Sequence, residues 1–272
     1  MCVIIMPRVM LPSVFCIRKD AFMSLSTVLT GIADRINGIY TKYNSAIILA
    51  GGSSARIGGD KTKQLVPICQ IPVIVRTVSV FEKCKFINEI IIVAKDDEIS
   101  LYDEWKKEYG WKKTKKVVNG GADRQASVLN GFKAISDKSE YVYIHDGARC
   151  LITEKMIASV GHAACIHGAA IAAQKATDTV KISDGKKLST PDRDKVWLAQ
   201  TPQVFMTEMY RAAAYSAKKN GTVATDDASL IEALGFSVFP VDCGKENMKI
   251  TTPCDFAIAE AILKYREAEE KK

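Results

Sequence analysis

From Ser45 onward, short apolar runs alternate with longer amphipathic ones, and this rhythm restricts the possible folds more than any other feature of the chain. "AIILA" reads as a buried strand and "PVIVRTVSVFEKC" as a helix; "INEIIIVA" and "EISLYDEWKKEYG" repeat the pair. "KKVVNGG" with "DRQASVLNGFKAIS", then "YVYIHDG" with "TEKMIASVGHAACIHG", continue it. Strands separated by helices need crossover connections, so the order predicts an α/β fold with a mostly parallel central sheet covered on both faces. In such folds the ligand crevice lies beyond the carboxyl ends of the strands. The unusual loops of this chain all fall at such ends.

The rhythm breaks between residues 174 and 203, where polar strand-like pieces flank the turn "SDGK" and no helix is evident. This predicts a β-arm projecting from the sheet. An exposed arm with open hydrogen-bonding edges is a candidate for pairing with a second chain. The core pattern resumes with "MTEMYRAAAYSAKKNG", "TDDASLIEALG", the strand "FSVFPVD" and the closing helix "PCDFAIAEAILKYREAEEKK". Residues 1–44 read as an N-terminal extension, a mobile leader or an early-assigned start with Met23 as the alternative, and residues 45–272 as one domain. "FMSLSTVLTGIADRINGIYTKY" can form a modestly amphipathic helix that docks on the domain or on a partner.

Composition narrows the function classes. The formal charge of +7 admits nucleic acid, an anionic surface or phosphorylated small molecules. Six lysines cluster between Lys106 and Lys116, and such a run reads first as a solvated helix face and its exit loop. No interleaved aromatics or recognised RNA-binding motif accompany them, which argues against nucleic acid. The eight cysteines show no CxxC pair and no zinc-site spacing with His145, His162 or His167, so they read as reduced thiols of a cytoplasmic protein. The apolar opening is interrupted by Pro7 and Pro12 and is too short to span a bilayer, so no membrane partner is expected.

The loop "LAGGSSARIGGDKTKQ" follows the first strand with glycines and small residues, then with Arg56, Lys61 and Lys63. Small residues let backbone N–H groups approach a polyphosphate, and basic side chains add charge that backbone donors lack. It matches neither GxxxxGK[ST] nor GxGxxG. "NGGADRQAS" is a second loop of this kind, in which Asp123 and Ser127 read equally well as helix-start residues. "HDGAR" ends a buried strand with a carboxylate and an arginine, for which a strand-end salt bridge is the plain structural reading. His145 points away from Asp146 by strand alternation and is expected to pack in the core. Asp226 is a candidate helix cap.

The opening loop resembles the signature loop of nucleotidyltransferases that attach a nucleoside monophosphate to a phosphorylated sugar or polyol. "VVNGGADRQASVLNG", "YVYIHDGAR", "ATDTVK", "TPDRDKVWLAQTPQVF", "ATDDASLIEALG" and "ENMKITTPCDFAIAEAIL" occur in the order seen in one group of them. That group is the 2-C-methyl-D-erythritol 4-phosphate cytidylyltransferases of the non-mevalonate isoprenoid pathway. The resemblance implies a Rossmann-like three-layer nucleotidyltransferase fold with a protruding β-arm. It also implies transfer of CMP from CTP, with Mg²⁺ or another divalent cation held mainly by phosphates and by no protein metal site.

By resemblance, Arg56, Lys63 and Lys249 surround the triphosphate and the transferring phosphorus. Ala50, Gly51 and Gly52 line the phosphates. Gly121, Ala122 and Ser127 read the cytosine, and Asp146 with Gly147 meets the ribose. Asp146, Arg149, Thr179, Arg193, Thr201 and Thr225 match the positions that hold the polyol phosphate. Thr179 and Arg193 sit on the arm and are expected to serve the partner's site in a homodimer. Lys61 also resembles the "DK" of molybdenum-cofactor guanylyltransferases, but register with "IPVIVRTV" selects Lys63. Two positions depart from the group's pattern: Ala122, where many relatives carry an acidic residue, and Cys150, where proline is usual. A ribitol 5-phosphate cytidylyltransferase and a non-catalytic nucleotide-binding protein are the competing expectations.

Overall fold

A computed structural model describes residues 38–51 and 62–271. Its central sheet is built on β1 (Asn44–Leu49), every residue of which is buried. Coverage on both faces is why Ala46–Leu49 reads as an unbroken apolar run and not an alternating one, while the buried polar start of the strand is hydrogen-bonded, Asn44 to backbone carbonyls and Ser45 to Glu89. Parallel to it on one side lie β4 (Glu89–Ala94) and β5 (Thr114–Asn119), and on the other β6 (Tyr141–Asp146). Beyond β6 come β10 (Trp197–Met206), β7 (Ala169–Lys175) and β11 (Phe239–Asp242), completing seven strands in the order β11-β7-β10-β6-β1-β4-β5. Only β10 runs against its neighbours among these strands.

The period-two alternation of the strands divides the core into two layers. Ala46, Ile48, Ile90, Ile92 and Tyr143 face α1 (Val73–Lys83), α2 (Ile99–Glu108) and α4 (Glu154–His167), where Phe81, Tyr102 and Val160 meet them. Ile47, Leu49, Val93, Val142 and Ile144 face α3 (Arg124–Ala134), α5 (Thr207–Asn220) and α6 (Ala228–Ala233), packing against Phe132, Tyr210 and Ile231. Each fully buried aliphatic side chain of this kind contributes roughly 1.5–3 kcal/mol. A third cluster joins Val73, Ala148, Leu151 and Ile250 to Ala259 of α7 (Pro253–Glu270).

Local chemistry sets the helix ends. The Asp123 carboxylate accepts from Ala126 N at 2.7 Å, and Thr153 accepts from Met156 N at 3.2 Å. Thr252 and Asp255 form a capping box ahead of α7, satisfying backbone donors that a helix start leaves open. The helical turn at 38–41 packs onto the sheet domain, with Ile39 fully buried among the first core layer. Asn44 secures the entry to β1 by donating to the carbonyls of Ile39 and Phe86.

Residues 174–175 and 197–203 belong to the central sheet, paired or continuous within β7 and β10. The excursion proper runs between them. It carries a small hairpin, β8 (Ile182–Ser183) paired with β9 (Leu188–Ser189), in which Ile182 and Leu188 are exposed. The two remaining strands, β2 (Pro67–Ile68) and β3 (Ile71–Pro72), form a ribbon between the opening loop and α1.

Candidate active site

Because β1, β4, β5 and β6 are parallel, their carboxyl ends coincide at one sheet edge. Backbone bonds carry the chain from these strands into the loops: Ala50 N donates to Val93 O at 2.7 Å, Gly120 N to Ala94 O at 2.8 Å and Gly147 N to Leu49 O at 2.8 Å. The edge thus holds Ala50 and Gly51, the loop beginning at Gly120, and Asp146 with Gly147. Gly147 has no room for a side chain, since a Cβ there would lie 2.8 Å from Leu49 O and 2.5 Å from the Ile74 methyl. Gly121 is equally confined, against Ala126.

Asp146 is the centre of this edge. Its carboxylate accepts from Lys249 Nζ at 2.7 Å through Oδ2, while Arg124 Nε lies 3.5 Å from Oδ1. Burial works against the charge, but Lys249 and then Arg124 outweigh it and hold the carboxyl well below the usual carboxylate range. Arg124 continues to Asp227, whose carboxylate lies 2.8 Å from its NH1 and also accepts from Tyr210 OH at 3.0 Å. Burial disfavours the Arg124 charge, yet Asp227 and Asp146 hold its pKa above the ordinary value.

Lys249 reaches Asp146 because the segment before it is bolted down. Asn247 is fully buried and donates to Gln200 Oε1 and Thr201 O, both at 2.9 Å. Its own carbonyl accepts from Arg149 at 2.7 Å. Ile250 N donates to Ala148 O at 2.9 Å, closing the segment onto the loop after β6. Burial lowers the pKa of the Arg149 guanidinium, and one of its nitrogens, Nε, is buried without a partner.

His145 is fully buried beside Asp146 and packs on Phe81, with ring centroids 5.1 Å apart and the rings tilted by 49°. Its Nε2 lies 3.4 Å from the Arg149 carbonyl, an acceptor only, so Nε2 carries the proton and Nδ1 accepts from Thr201 Oγ1 at 3.1 Å. Burial drives its pKa down to about 3, leaving it neutral. Thr201 in turn accepts from Asp146 N at 3.0 Å. Its hydroxyl is spent inside the protein, and a contact from it to a polyol phosphate requires one of these bonds to be given up. Cys150 is buried with Leu151 and Ile250, and burial pushes its thiol up to about 11, so the position packs and is not a nucleophile.

In the second loop, Asp123 does the work of a helix start, whereas Ser127 braces the loop itself. Asp123 caps α3, and Ser127 Oγ accepts from Gly121 N at 2.9 Å while donating to Asp123 O at 2.8 Å. Ser127 therefore shapes the loop that presents the Gly121 and Ala122 backbone. Asp226 accepts from Ser229 N at 3.0 Å and from Gln203 Nε2 at 2.9 Å, fixing the segment that exposes Thr225.

Gly52, Arg56 and Lys61 lie outside the described residues. Lys63 opens the helical turn Lys63–Leu65, directly after Thr62. Thr62 is buried, donates to Glu98 and accepts from Lys95 Nζ at 3.0 Å, which ties the exit of the opening loop to the loop after β4. Thr179 and Arg193 are exposed on the excursion, where Arg193 donates to Thr177 O at 3.1 Å.

Sequence reasoning missed Arg124, Gln203, Asp227 and Asn247. A signal existed for Arg124: a cation at the first position of a helix opposes the helix dipole and needs a compensating anion. Asp227 had only its adjacency to Asp226 to mark it, and Asn247 only its place two residues before Lys249.

A mostly parallel sheet with helices on both faces, glycine loops at its carboxyl edge and cations converging there defines an α/β nucleotide-handling class of protein. The family model for 2-C-methyl-D-erythritol 4-phosphate cytidylyltransferase (IspD) matches residues 45–265, and the chain belongs to this family. Cytidylyltransferases of this name from Syntrophus aciditrophicus and Alkaliphilus oremlandii are 44% and 41% identical to it over 225 residues. Each alignment covers 82% of this chain, and 96% and 95% of those relatives respectively. The crystal structure of 4-diphosphocytidyl-2C-methyl-D-erythritol synthase from Anaerococcus prevotii superposes with a TM-score of 0.74 at 32% identity, covering 82% of this chain and 99% of that one. The Francisella tularensis cytidylyltransferase follows with a TM-score of 0.68 at 29% identity, covering 80% and 98%.

Proposed function

We propose that the chain transfers CMP from CTP to 2-C-methyl-D-erythritol 4-phosphate, giving 4-diphosphocytidyl-2-C-methyl-D-erythritol and pyrophosphate, in the non-mevalonate isoprenoid pathway. A phosphate oxygen of the polyol forms a bond to the α-phosphorus as the bond to the pyrophosphate oxygen breaks. The electron pair leaves with pyrophosphate, and no covalent enzyme intermediate forms. The observation that carries this reading is Asp146, held between Lys249 and Arg124 at the edge where the glycine loops converge. Its neighbour His145 is neutral, buried and hydrogen-bonded on both nitrogens, which suits positioning and charge neutralisation better than proton transfer.

In this scheme the backbone of Ala50, Gly51 and Gly52 lines the triphosphate, and Arg56, Lys63 and Lys249 neutralise charge that grows at the α-phosphorus. Gly121 and Ala122 read the cytosine through a main chain shaped by Ser127, and Asp146 with Gly147 orients the ribose. Arg149 and Thr225, with Asp146, orient the polyol phosphate. The described residues hold no group of three or more His, Cys, Asp or Glu able to cage a metal, and Asp146 already carries two cations. That donor set fits a divalent ion brought in by the phosphates, which keeps most of its ligands from phosphate and water. Mg²⁺, when bound there, neutralises phosphate charge. We place the chain in the cytoplasm, in keeping with the free thiols among the described residues.

Thr179 and Arg193 are placed on the partner's substrate in a homodimer joined through the excursion. Their exposure, and that of Ile182 and Leu188, supports this. Mixing Arg193→Ala chains with Lys63→Ala chains is expected to restore activity in heterodimers, each of which has one intact shared site. No recovery in verified heterodimers refutes the crossover. The reaction itself is tested by pyrophosphate release with CTP and Mg²⁺, comparing 2-C-methyl-D-erythritol 4-phosphate with ribitol 5-phosphate. Turnover with the first alone is expected; turnover with ribitol 5-phosphate alone overturns the assignment.

A further inference from the structure

Three loops of the site come from distant parts of the chain: the loop before α3, the end of β6, and the segment at 225–227. One side chain links all three. Arg124, the first residue of α3, follows directly on the first, lies 3.5 Å from Asp146 in the second and 2.8 Å from Asp227 in the third. Asp227 is buried, and it is locked from the other side by Tyr210 OH at 3.0 Å and by its backbone N–H, which donates to Gln203 Oε1 at 3.0 Å. The anchor is therefore rigid, while the Arg124 side chain keeps about a third of its surface open at the site.

We propose that Arg124 is a positioning residue: anchored on Asp227, it holds Asp146 in place so that Lys249 can leave Asp146 for the phosphates. Lys249 is paired with Asp146 at 2.7 Å, so its engagement with a triphosphate competes with this pair. Without a second cation, departure of Lys249 would strand a buried carboxylate, a strongly unfavourable state. Arg124 keeps Asp146 compensated through the transfer. It also joins the cytosine loop to the segment bearing Thr225, so nucleotide and polyol are registered against one another. The inference rests on the reaction proposed above.

The test uses the full chain and steady-state pyrophosphate release, with thermal unfolding of every variant. Wild-type turnover comes first, because its absence would fault the reaction and not the role of Arg124. Arg124→Gln and Asp227→Asn are each expected to lower kcat about tenfold or more with KM for CTP within about twofold, since the lost function is orientation in the transition state. The double variant is expected to be no worse than Arg124→Gln alone, because the two residues act as one unit. Arg124→Lys is expected to recover part of the loss by restoring the charge.

A cooperatively unfolding Arg124→Gln or Asp227→Asn that keeps kcat within twofold overturns the proposal. So do losses that multiply in the double variant, or a loss in Arg124→Gln confined to KM for CTP, which would make Arg124 a nucleotide ligand. If Asp227→Asn does not fold, the comparison of Arg124→Lys with Arg124→Gln decides, and equal kcat values refute the positioning role.

Discussion

Lowering the pH from about 7.5 to about 5 isolates the contribution of His145 to stability. In the folded chain its imidazole has no exposed surface, donates from Nε2 to Arg149 O and accepts at Nδ1 from Thr201. Protonating Nδ1 would replace an acceptor by a donor, so the Thr201 hydroxyl would lose the partner it donates to. Burial, only partly opposed by Asp146, takes the pKa from 6.5 to about 3, and the nearby cations Arg149 and Lys249 push the same way. Between these values the unfolded chain binds a proton that the folded chain does not, so stability falls as pH falls. With an unfolded value near 6.5, the loss by about pH 5 is about 2 kcal/mol, approaching a slope of about 1.4 kcal/mol per pH unit.

Urea unfolding at the two pH values reads the wild-type loss. His145→Asn keeps an acceptor for Thr201 but cannot titrate, so its loss over the same interval should be smaller by about 2 kcal/mol, whatever packing it gives up against Phe81. With only three histidines in the chain, the imidazole proton resonances provide a direct check: His145 should show no titration above about pH 5. A midpoint near 6.5 for that resonance, or an unchanged pH dependence in His145→Asn, would refute the reasoning.

Other expectations follow from the same geometry. Gly147→Ala forces a Cβ to within 2.8 Å of the Leu49 carbonyl, a backbone atom that cannot rotate away, so a loss of about 1–3 kcal/mol is expected in urea unfolding; an unchanged midpoint would contradict it. Lys249→Ala should lower kcat by roughly 10²–10³ while the chain stays folded, because Arg124 still compensates Asp146. Near wild-type turnover in that variant would remove Lys249 from the mechanism. Chelation of divalent cations by EDTA should stop turnover and added Mg²⁺ restore it, whereas undiminished turnover in EDTA would refute a phosphate-borne ion.

Much of the architecture was legible in the chain because its determinants are local. The unbroken apolar run Ala46–Leu49 of β1, the helix-forming stretches between strands and the cap at Asp123 act within a few residues, so pattern alone locates them. The glycine loops were legible for the same reason, since close approach at Gly121 and Gly147 tolerates no side chain. His145 could be assigned to the core from strand alternation, but not its bond to Thr201, which lies 56 residues away in sequence.

What the amino-acid order determined by itself was therefore the alternation of elements, the sheet edge at which the loops gather and the residue types carried there. Only the tertiary structure decided how the charges pair. Asp146, Lys249, Arg124 and Asp227 come from four separate segments, and their ion pairs form because parallel strands end at one edge and antiparallel β10 brings Gln203 and Thr201 back to it. Coulomb interactions and hydrogen bonds depend on distance in space, and burial sets their strength, so no local pattern records them.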